Sequence, residues 1–191
     1  SVANGTTIIV NSALVNVTSD VNVSVALLEW NYGNGTIQNF TMNQSSSTSF
    51  YYTMIGITTG DNTYSVYGND SANTFGVSVT QTVTLDNTPP AVSFNSPSSG
   101  SNFTTELQVI NVTVNDSNAY VDTVLFNITN GSSSIILTAS NLSATFWNAT
   151  IDVSTLAQEV HTLTVLANDT LGNVNSTEAI TFTVDRTAPP V

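Results

Sequence analysis

The chain has 191 residues, no cysteine and a net charge of −12, with Arg186 as its single cation and no lysine. It therefore forms no disulfide, and it lacks the cations that would neutralise nucleic-acid phosphates or an anionic membrane surface. Hydrophobic residues reach 40%, which is enough for a core and excludes a disordered chain. Asn, Ser and Thr occupy 79 positions. Such an uncharged, hydrated exterior is typical of exported proteins, so we expect an extracellular or cell-surface location, no nucleic-acid partner and no membrane span in this chain.

Apolar and polar residues alternate with a period of two along nearly the whole chain, which predicts an all-β protein. In the first half the pattern predicts strands at 6–10, 13–19, 23–31, 36–42, 49–55, 62–68 and 76–86. In the second half it predicts strands at 91–95, 107–115, 120–129, 134–139, 144–153, 160–168 and 177–185. The one helix-like fragment, residues 154–158, is too short to be more than a turn.

The chain also repeats itself with a period near 100 residues. The segment 86–92 (DNTPPAV) returns as 185–191 (DRTAPPV), and 67–71 returns as 166–170. Short strands at this period are typical of immunoglobulin-like sandwiches. Consecutive prolines at 89–90 make a short, stiff separator between the copies. We therefore predict two tandem immunoglobulin-like (Ig/fibronectin III/cadherin-like) β-sandwiches of about seven strands each, over residues 1–88 and 89–191.

Six short motifs carry a family resemblance. They are Asn4-Gly-Thr6, Asn16-Val-Thr18, Leu27-Leu-Glu-Trp30-Asn31, Gly68-Asn-Asp-Ser71, Asp86-Asn-Thr-Pro-Pro90 and Asn168-Asp-Thr-Leu-Gly-Asn173. With these motifs the chain resembles the tandem immunoglobulin-like repeats of archaeal cell-surface and S-layer-type proteins. The resemblance covers nearly the whole chain. It implies fold and surface placement much more than any biochemical activity.

Acceptor sequons for N-glycosylation are the strongest chemical signal. The sequence Asn-x-Ser/Thr occurs at Asn4, Asn16, Asn22, Asn34, Asn39, Asn43, Asn69, Asn102, Asn111, Asn115, Asn127, Asn130, Asn141, Asn148, Asn168 and Asn175. An alternating strand creates Asn-apolar-Thr by itself, and eight of the sixteen have an apolar middle residue. The other eight lie in turn-like contexts where alternation explains nothing. We expect N-linked glycans at several of these sites.

Carboxylates placed at the expected ends of the sandwiches suggest a calcium site. Asp86, Asp116 and Asp169 come from three segments that an immunoglobulin-like fold brings to the domain junction, and carboxylate oxygens are ligands that calcium prefers. Cadherin-type repeats stiffen their junctions in a similar way. The matching set at the other end of the unit is Asp20, Asp70 and Asp185. The alternative is that Asn-Asp and Asp-Asn pairs here are ordinary turn formers. No cofactor is required on either interpretation.

Nothing in the sequence indicates catalysis. His161 is the single histidine, there is no Gly-x-Ser-x-Gly nucleophile elbow, and no motif selects a pair of carboxylates. We expect His161 to lie at a strand end against the core. We also expect Trp30 and Trp147 to be buried, which leaves Tyr32, Tyr51 and Tyr52 as candidate surface contacts.

These patterns favour a non-catalytic structural subunit or repeat of an extracellular filament, stalk or S-layer. Its partner would be a further copy of itself, in a head-to-tail homopolymer or a covalent array, with contacts through Ser1–Val10 and Asp185–Val191. Open sandwich edges would allow strand addition from a neighbour. The alternatives are a surface adhesin or carbohydrate-binding module, and an accessory domain of an enzyme.

Overall fold

The computed structural model describes residues 3–31, 35–104 and 106–188. Contacts divide the chain into two compact units, Ser1–Asn87 and Thr88–Val191. Each unit is an all-β, immunoglobulin-like sandwich, as the alternation predicts, and each is described by itself below. In the described part of the chain no helix has the length and hydropathy that a transmembrane span requires.

Unit 1 contains nine strands among its described residues. They are β1 (Thr6–Ile8), β2 (Ser12–Thr18), β3 (Val25–Asn31), β4 (Ile37–Thr41), β5 (Asn43–Ser46), β6 (Ser49–Ile55), β7 (Gly60–Asn69), β8 (Phe75–Val77) and β9 (Gln81–Leu85). One sheet has the order β1-β9-β7-β3-β4, with β8 paired to β7, and the other has the order β2-β6-β5. The pair β1–β9 is parallel, whereas β2–β6 and β3–β7 are antiparallel.

Unit 2 contains ten strands among its described residues. They are β10 (Ala91–Ser96), β11 (Ser101–Phe103), β12 (Leu107–Asn115), β13 (Val121–Thr129), β14 (Ser134–Thr138), β15 (Ser140–Asn141), β16 (Phe146–Asp152), β17 (Val160–Asp169), β18 (Val174–Asn175) and β19 (Ala179–Val184). A short 3-10 helix, Val153–Thr155, follows β16. The sheets have the orders β11-β19-β17-β13-β14, with β18 paired to β17, and β10-β12-β16-β15.

Each unit has its own hydrophobic core, because alternate residues of its strands point between the two sheets. In unit 1, Leu28 and Trp30 of one sheet meet Val15 and Met54 of the other, and none of these four side chains is more than 1% exposed. The core of unit 2 is built the same way from sixteen buried residues. Trp30 and Trp147 both belong to these cores, which confirms the expectation that they are buried.

The observed strands follow the predicted ones closely but add short pieces. The segment predicted as one strand over 76–86 is two strands, β8 and β9, and the sequence pattern missed β5, β11, β15 and β18. The first described strand of unit 1, β1, corresponds to β11 and not to β10, because each pairs in parallel with the last strand of its unit. Gly5 and Gly100 precede these strands at φ +71° and +81°, and their N–H groups donate to Thr82 and Thr181.

Candidate surface sites

The described sequon asparagines are all at least partly accessible. Asn4, Asn16, Asn22, Asn39, Asn43, Asn102, Asn115 and Asn141 are exposed. Asn69, Asn111, Asn127, Asn130, Asn148, Asn168 and Asn175 are half-buried, and Asn34 lies outside the described residues. Where these asparagines lie in strands, as Asn16 does in β2 and Asn148 in β16, the outward-facing rows place them on the surface for the same reason that the inward rows build the core. Glycosylation at these positions stays a prediction.

An aromatic side chain lies between two of these sequons. Tyr51 of β6 is directly opposite Asn16 of β2 on one side and Asn43 of β5 on the other. Tyr51 is 40% exposed, so its ring lies on the outer face of this sheet. Tyr52 points the other way, toward the core, where its ring centroid is 5.1 Å from that of Phe40. Tyr32 lies outside the described residues.

Within unit 2 the fold brings Asp116 and Asp169 together, with carboxylate oxygens no more than 4.8 Å apart. Asp169 is 1% exposed, and its carboxylate accepts hydrogen bonds from the N–H groups of Leu171 and Asn173 at 2.8 and 2.9 Å. The side-chain amide of Asn173 donates a further bond of 2.8 Å. Asp116 accepts from two backbone N–H groups in the same manner. Both carboxylates therefore shape turns, and calcium binding by this pair stays a prediction.

The other predicted calcium ligands divide between the units. Asp20, Asp70 and Asp86 belong to unit 1, and Asp185 belongs to unit 2. Asp70 accepts bonds of 2.8 and 2.9 Å from the N–H groups of Ala72 and Thr74, and Asp185 accepts from Thr187 at 2.9 Å. The side chain of Asp86 is fully buried. The turn-forming role is thus observed at Asp70 and Asp185, and it does not exclude a cation.

An open cleft of about 840 Å³ is a feature that the sequence analysis did not find. It lies in unit 1, and its apolar lining comes from both sheets, with Val17 and Phe50 from one and Ala26 and Val66 from the other. Its remaining lining residues are Thr18, Ser19, Asp20, Val21, Val23, Gly68, Asp70, Thr74, Phe75, Gly76, Val77 and Ser78. Phe75 and Val77 are 76% and 62% exposed, so apolar surface continues beyond the cleft.

Among the described residues, three ionisable groups have pKa values shifted by their surroundings. The charge of Glu29 and its hydrogen bond of 3.2 Å from the Tyr67 hydroxyl raise the pKa of Tyr67. Burial raises the pKa of Tyr64. Hydrogen bonds from the side chain and backbone of Ser154 lower the pKa of Asp152, which caps the short 3-10 helix. These shifts follow from local charge, burial and hydrogen bonding.

His161 and Arg186 both have structural partners. His161 is 2% exposed, its ring stacks on Phe182 with centroids 5.3 Å apart, and its Nε2 lies 3.0 Å from the carbonyl of Ala157. This confirms the expected strand-end position against the core. Arg186 donates to the carbonyls of Val153 and Leu156 at 3.3 and 2.9 Å. No local motif in the sequence indicates a role for Arg186, because these partners lie 30 and 33 residues away.

Comparison with known proteins supports the fold. Residues 90–165, within unit 2, match the family described as bacterial Ig domain. No curated protein matches the chain. A marsupial T cell receptor structure is 10% identical over 100% of this chain and 74% of its own, with a TM-score of 0.64. This likeness shows the same fold, and the chain consists of immunoglobulin-like modules.

Two further solved structures match with lower TM-scores. The fibronectin(III)-like modules of CbhA from Clostridium thermocellum are 18% identical over 95% of this chain and 90% of theirs, with a TM-score of 0.41. A tetra-tandem repeat from the extending region of a large adhesion protein is 19% identical over 98% of this chain, with a TM-score of 0.45. The chain spans 48% of that structure and 22% of a matched engineered protein.

Proposed function

We propose that this chain is a non-catalytic structural subunit or repeat of an extracellular surface filament, stalk or S-layer, and that it assembles end to end. The observation that supports this most directly is the repetition of one plan within the chain. Each unit has a short early strand that pairs in parallel with its last strand, β1 with β9 and β11 with β19, and the sequence after each last strand, 86–92 and 185–191, is of the same type. We call these two segments the lead-in sequences. A chain in which each module ends on such a segment is suited to serial stacking.

The composition of the surface supports the same proposal. The fifteen described sequon asparagines are all exposed or half-buried. The chain has one arginine and no lysine. A glycan coat over uncharged strands would protect an exterior structure and would also cover the sheet edges that invite aggregation. Residues 3–10 and 185–188 are the described parts of the two segments that we propose for subunit contacts. Ser1, Val2 and Pro189–Val191 lie outside the described residues.

Electron microscopy and sedimentation of the protein from its native source test this function. Filaments or a lattice with an axial repeat near the length of two stacked sandwiches are the expected result. Truncation after Thr187 should weaken assembly, because it removes the end of the lead-in sequence while it keeps Arg186 and its bonds to unit 2. Replacing Ala188–Val191 by an equally long Gly-Ser segment is the matched control for length. Monomers at all concentrations, with no filaments at the source, would rule the proposal out.

The alternative, an adhesin or carbohydrate-binding module, is favoured by one exposed aromatic. Tyr120 directly precedes β13 and is 84% exposed, so a sugar ring has access to its face. Both tryptophans are buried and offer no such platform. A glycan array screened with the protein and with Tyr120→Ser tests this alternative. Saturable binding that the substitution abolishes would favour it over a purely structural role.

A further inference from the structure

The ring of Tyr51 lies on the outer face of the sheet β2-β6-β5, between two glycosylation sequons. Tyr51 is directly opposite Asn16 of β2 on one side and Asn43 of β5 on the other. Both asparagines are exposed, and Tyr51 is 40% exposed. Side chains that lie directly opposite on one face of a sheet are close enough to interact. A sugar attached to either amide therefore begins beside an accessible aromatic ring.

The hydrogen bonds of the ladder distinguish the two asparagines. The N–H of Ser19 donates to the carbonyl of Thr48 at 2.8 Å, so these two residues form a hydrogen-bonded pair. Such pairs alternate with non-hydrogen-bonded pairs along an antiparallel ladder, and Asn16 with Tyr51, three positions along, is a non-hydrogen-bonded pair. The same alternation turns the backbone N–H and carbonyl of Tyr51 toward Asn43. Because facing side chains are closer in a non-hydrogen-bonded pair, Asn16 is the nearer of the two asparagines to the ring.

The surface beside this pair is apolar and uncharged. Leu14 is two residues before Asn16 on β2 and points to the same face, where it is 42% exposed. It lies diagonally next to Tyr51, at a separation that long and aromatic side chains can bridge. The strands β2, β5 and β6 contain no charged residue. The face around Tyr51 therefore suits a neutral ligand that has an apolar side.

Unit 2 repeats the sequon without the aromatic ring. The segment 15–18 (VNVT) matches 110–113 (INVT), and each belongs to a long strand of its sheet, β2 or β12. The residue directly opposite Asn111 is Asn148, and the amide oxygen of Asn111 is buried. Tyr51 is therefore a feature of unit 1 alone and not a consequence of the repeat.

We propose that the face around Tyr51 holds the first sugar of an N-linked glycan carried by Asn16. The proposal rests on the glycan coat of the function proposed above, and it deepens that function by naming the surface that one glycan occupies. The axial C–H bonds of a pyranose make an apolar, weakly positive face, which stacks on the negative face of an aromatic ring. Burial of apolar surface adds to this contact, and the covalent tether keeps the effective concentration of the sugar high.

The attachment itself is an ordinary glycosyl transfer to an acceptor sequon. The amide nitrogen of Asn16 forms a bond to the anomeric carbon of a glycosyl phosphate donor. The bond from that carbon to the phosphate oxygen breaks, and the phosphate leaves with the electron pair. The amide proton goes to a base of the transferring enzyme. Tyr51 takes no part in this step and acts on the attached sugar.

NMR of the glycoprotein from its native source tests the contact. Protons of the first sugar on Asn16 should shift upfield, because they lie over the face of an aromatic ring. Tyr51→Phe should keep this shift, and Tyr51→Ser should abolish it. Ile55→Ser is the matched control, since it removes an exposed apolar side chain from the same face of β6 at a position opposite Ser12. It should leave the shift in place. A shift that persists in Tyr51→Ser would overturn the proposal.

A double-mutant cycle on the glycoprotein gives an independent measurement. Thr18→Ala abolishes the sequon and leaves Asn16 in place, whereas Thr18→Ser preserves the sequon. Thr18→Ala should lower the midpoint of thermal unfolding, and the loss should be smaller in the Tyr51→Ser background, because the two substitutions remove the same contact. The cycle built with Thr18→Ser should be additive. Additive behaviour in both cycles would contradict the proposed contact.

Glycopeptide mass spectrometry identifies the asparagine that carries the sugar. An unmodified Asn16, or an upfield shift confined to a sugar on Asn43, would show that the assignment is wrong. The two proposals also fail separately. If filaments form while no sugar contacts Tyr51, end-to-end assembly stands and this contact is rejected. If the sugar stacks on the ring while the protein is monomeric at all concentrations, the contact stands and end-to-end assembly is rejected.

Discussion

Asn111 of β12 and Asn148 of β16 lie directly opposite one another in the antiparallel ladder of unit 2. Each begins a glycosylation sequon, Asn111-Val-Thr113 and Asn148-Ala-Thr150. Their Cβ atoms are therefore about 5 Å apart, which leaves little room for two sugars on the same face of the sheet. The amide oxygen of Asn111 is also buried.

We predict that Asn148 carries a glycan in preference to Asn111, and that one molecule rarely carries both. Mass spectrometry of glycopeptides and of the intact protein from the native source measures this directly. In Asn148→Gln, occupancy of Asn111 should rise, since the competing glycan is gone. Full occupancy of both asparagines in the same molecule would contradict the prediction.

Asn62 is a buried polar side chain in unit 1 that bonds to the backbone of a turn. It is completely buried, donates to the carbonyls of Thr58 and Gly60 at 2.8 and 2.9 Å, and accepts from the N–H of Thr58 at 3.3 Å. These bonds fix the turn between β6 and β7. Asn62→Ala should lower the free energy of unfolding by about 1–3 kcal/mol, because it removes the hydrogen bonds that the completely buried amide makes to the turn.

Chemical denaturation followed by circular dichroism gives this value. Asn62→Asp keeps the acceptor and loses the amide donors, so it should also be destabilising. Asn39→Ala, at an exposed position of β4, is the control and should change stability by less than about 0.5 kcal/mol. An unchanged midpoint for Asn62→Ala would mean that the turn is held by other contacts.

Strand positions were predictable from the sequence because each inward row alternates with an outward row, as Ile110, Val112 and Val114 do in β12. What the sequence could not reveal depends on partners far along the chain. The role of Arg186 requires carbonyls 30 and 33 residues away, and the cleft of unit 1 is lined by residues that range from Val17 to Ser78. A repeat in the sequence aligns residues that are present in both copies. It therefore indicates neither the role of Arg186 nor the cleft of unit 1.

The pair Tyr67 and Glu29 predicts a dependence of stability on alkaline pH. Glu29 raises the pKa of Tyr67 first through its charge and then through the hydrogen bond. A raised pKa in the folded state means that the contribution to stability is complete below the unfolded value, about 10, and is lost as pH rises above it. The free energy of unfolding of the protein, relative to that of Tyr67→Phe, should therefore decline as pH rises above about 10.

Denaturation at several alkaline pH values, with Tyr67→Phe and Glu29→Gln as paired variants, measures this dependence. The phenylalanine variant has no phenol at this position to ionise. Glu29→Gln removes the charge, so the pKa of Tyr67 should move back toward its usual value in an NMR titration. If that titration is unchanged in Glu29→Gln, the carboxylate is not the cause of the shift.

Arg186 fastens the end of the last strand of unit 2 to the short 3-10 helix. Its guanidinium donates to the carbonyls of Leu156 and Val153, and its backbone N–H donates to the side chain of Gln158 at 2.7 Å. Arg186→Met retains the aliphatic stem and removes both charge-assisted bonds, which should cost about 1–2 kcal/mol at this half-buried position. Arg186→Lys should recover only part of the loss, because an ammonium is a compact donor and cannot reproduce the planar fork.

Hydrogen exchange locates the effect within the molecule. Amides of β19 and of the segment around Leu156 should exchange faster in Arg186→Met, while those of β3 in unit 1 should be unaffected. Thr187→Ser changes the next residue without touching the guanidinium and serves as the control. If Arg186→Met accelerates exchange in β3 as much as in β19, the arginine does not act locally and its bonds to the 3-10 helix are not what stabilises unit 2. If neither region responds, water replaces the guanidinium at both carbonyls without cost.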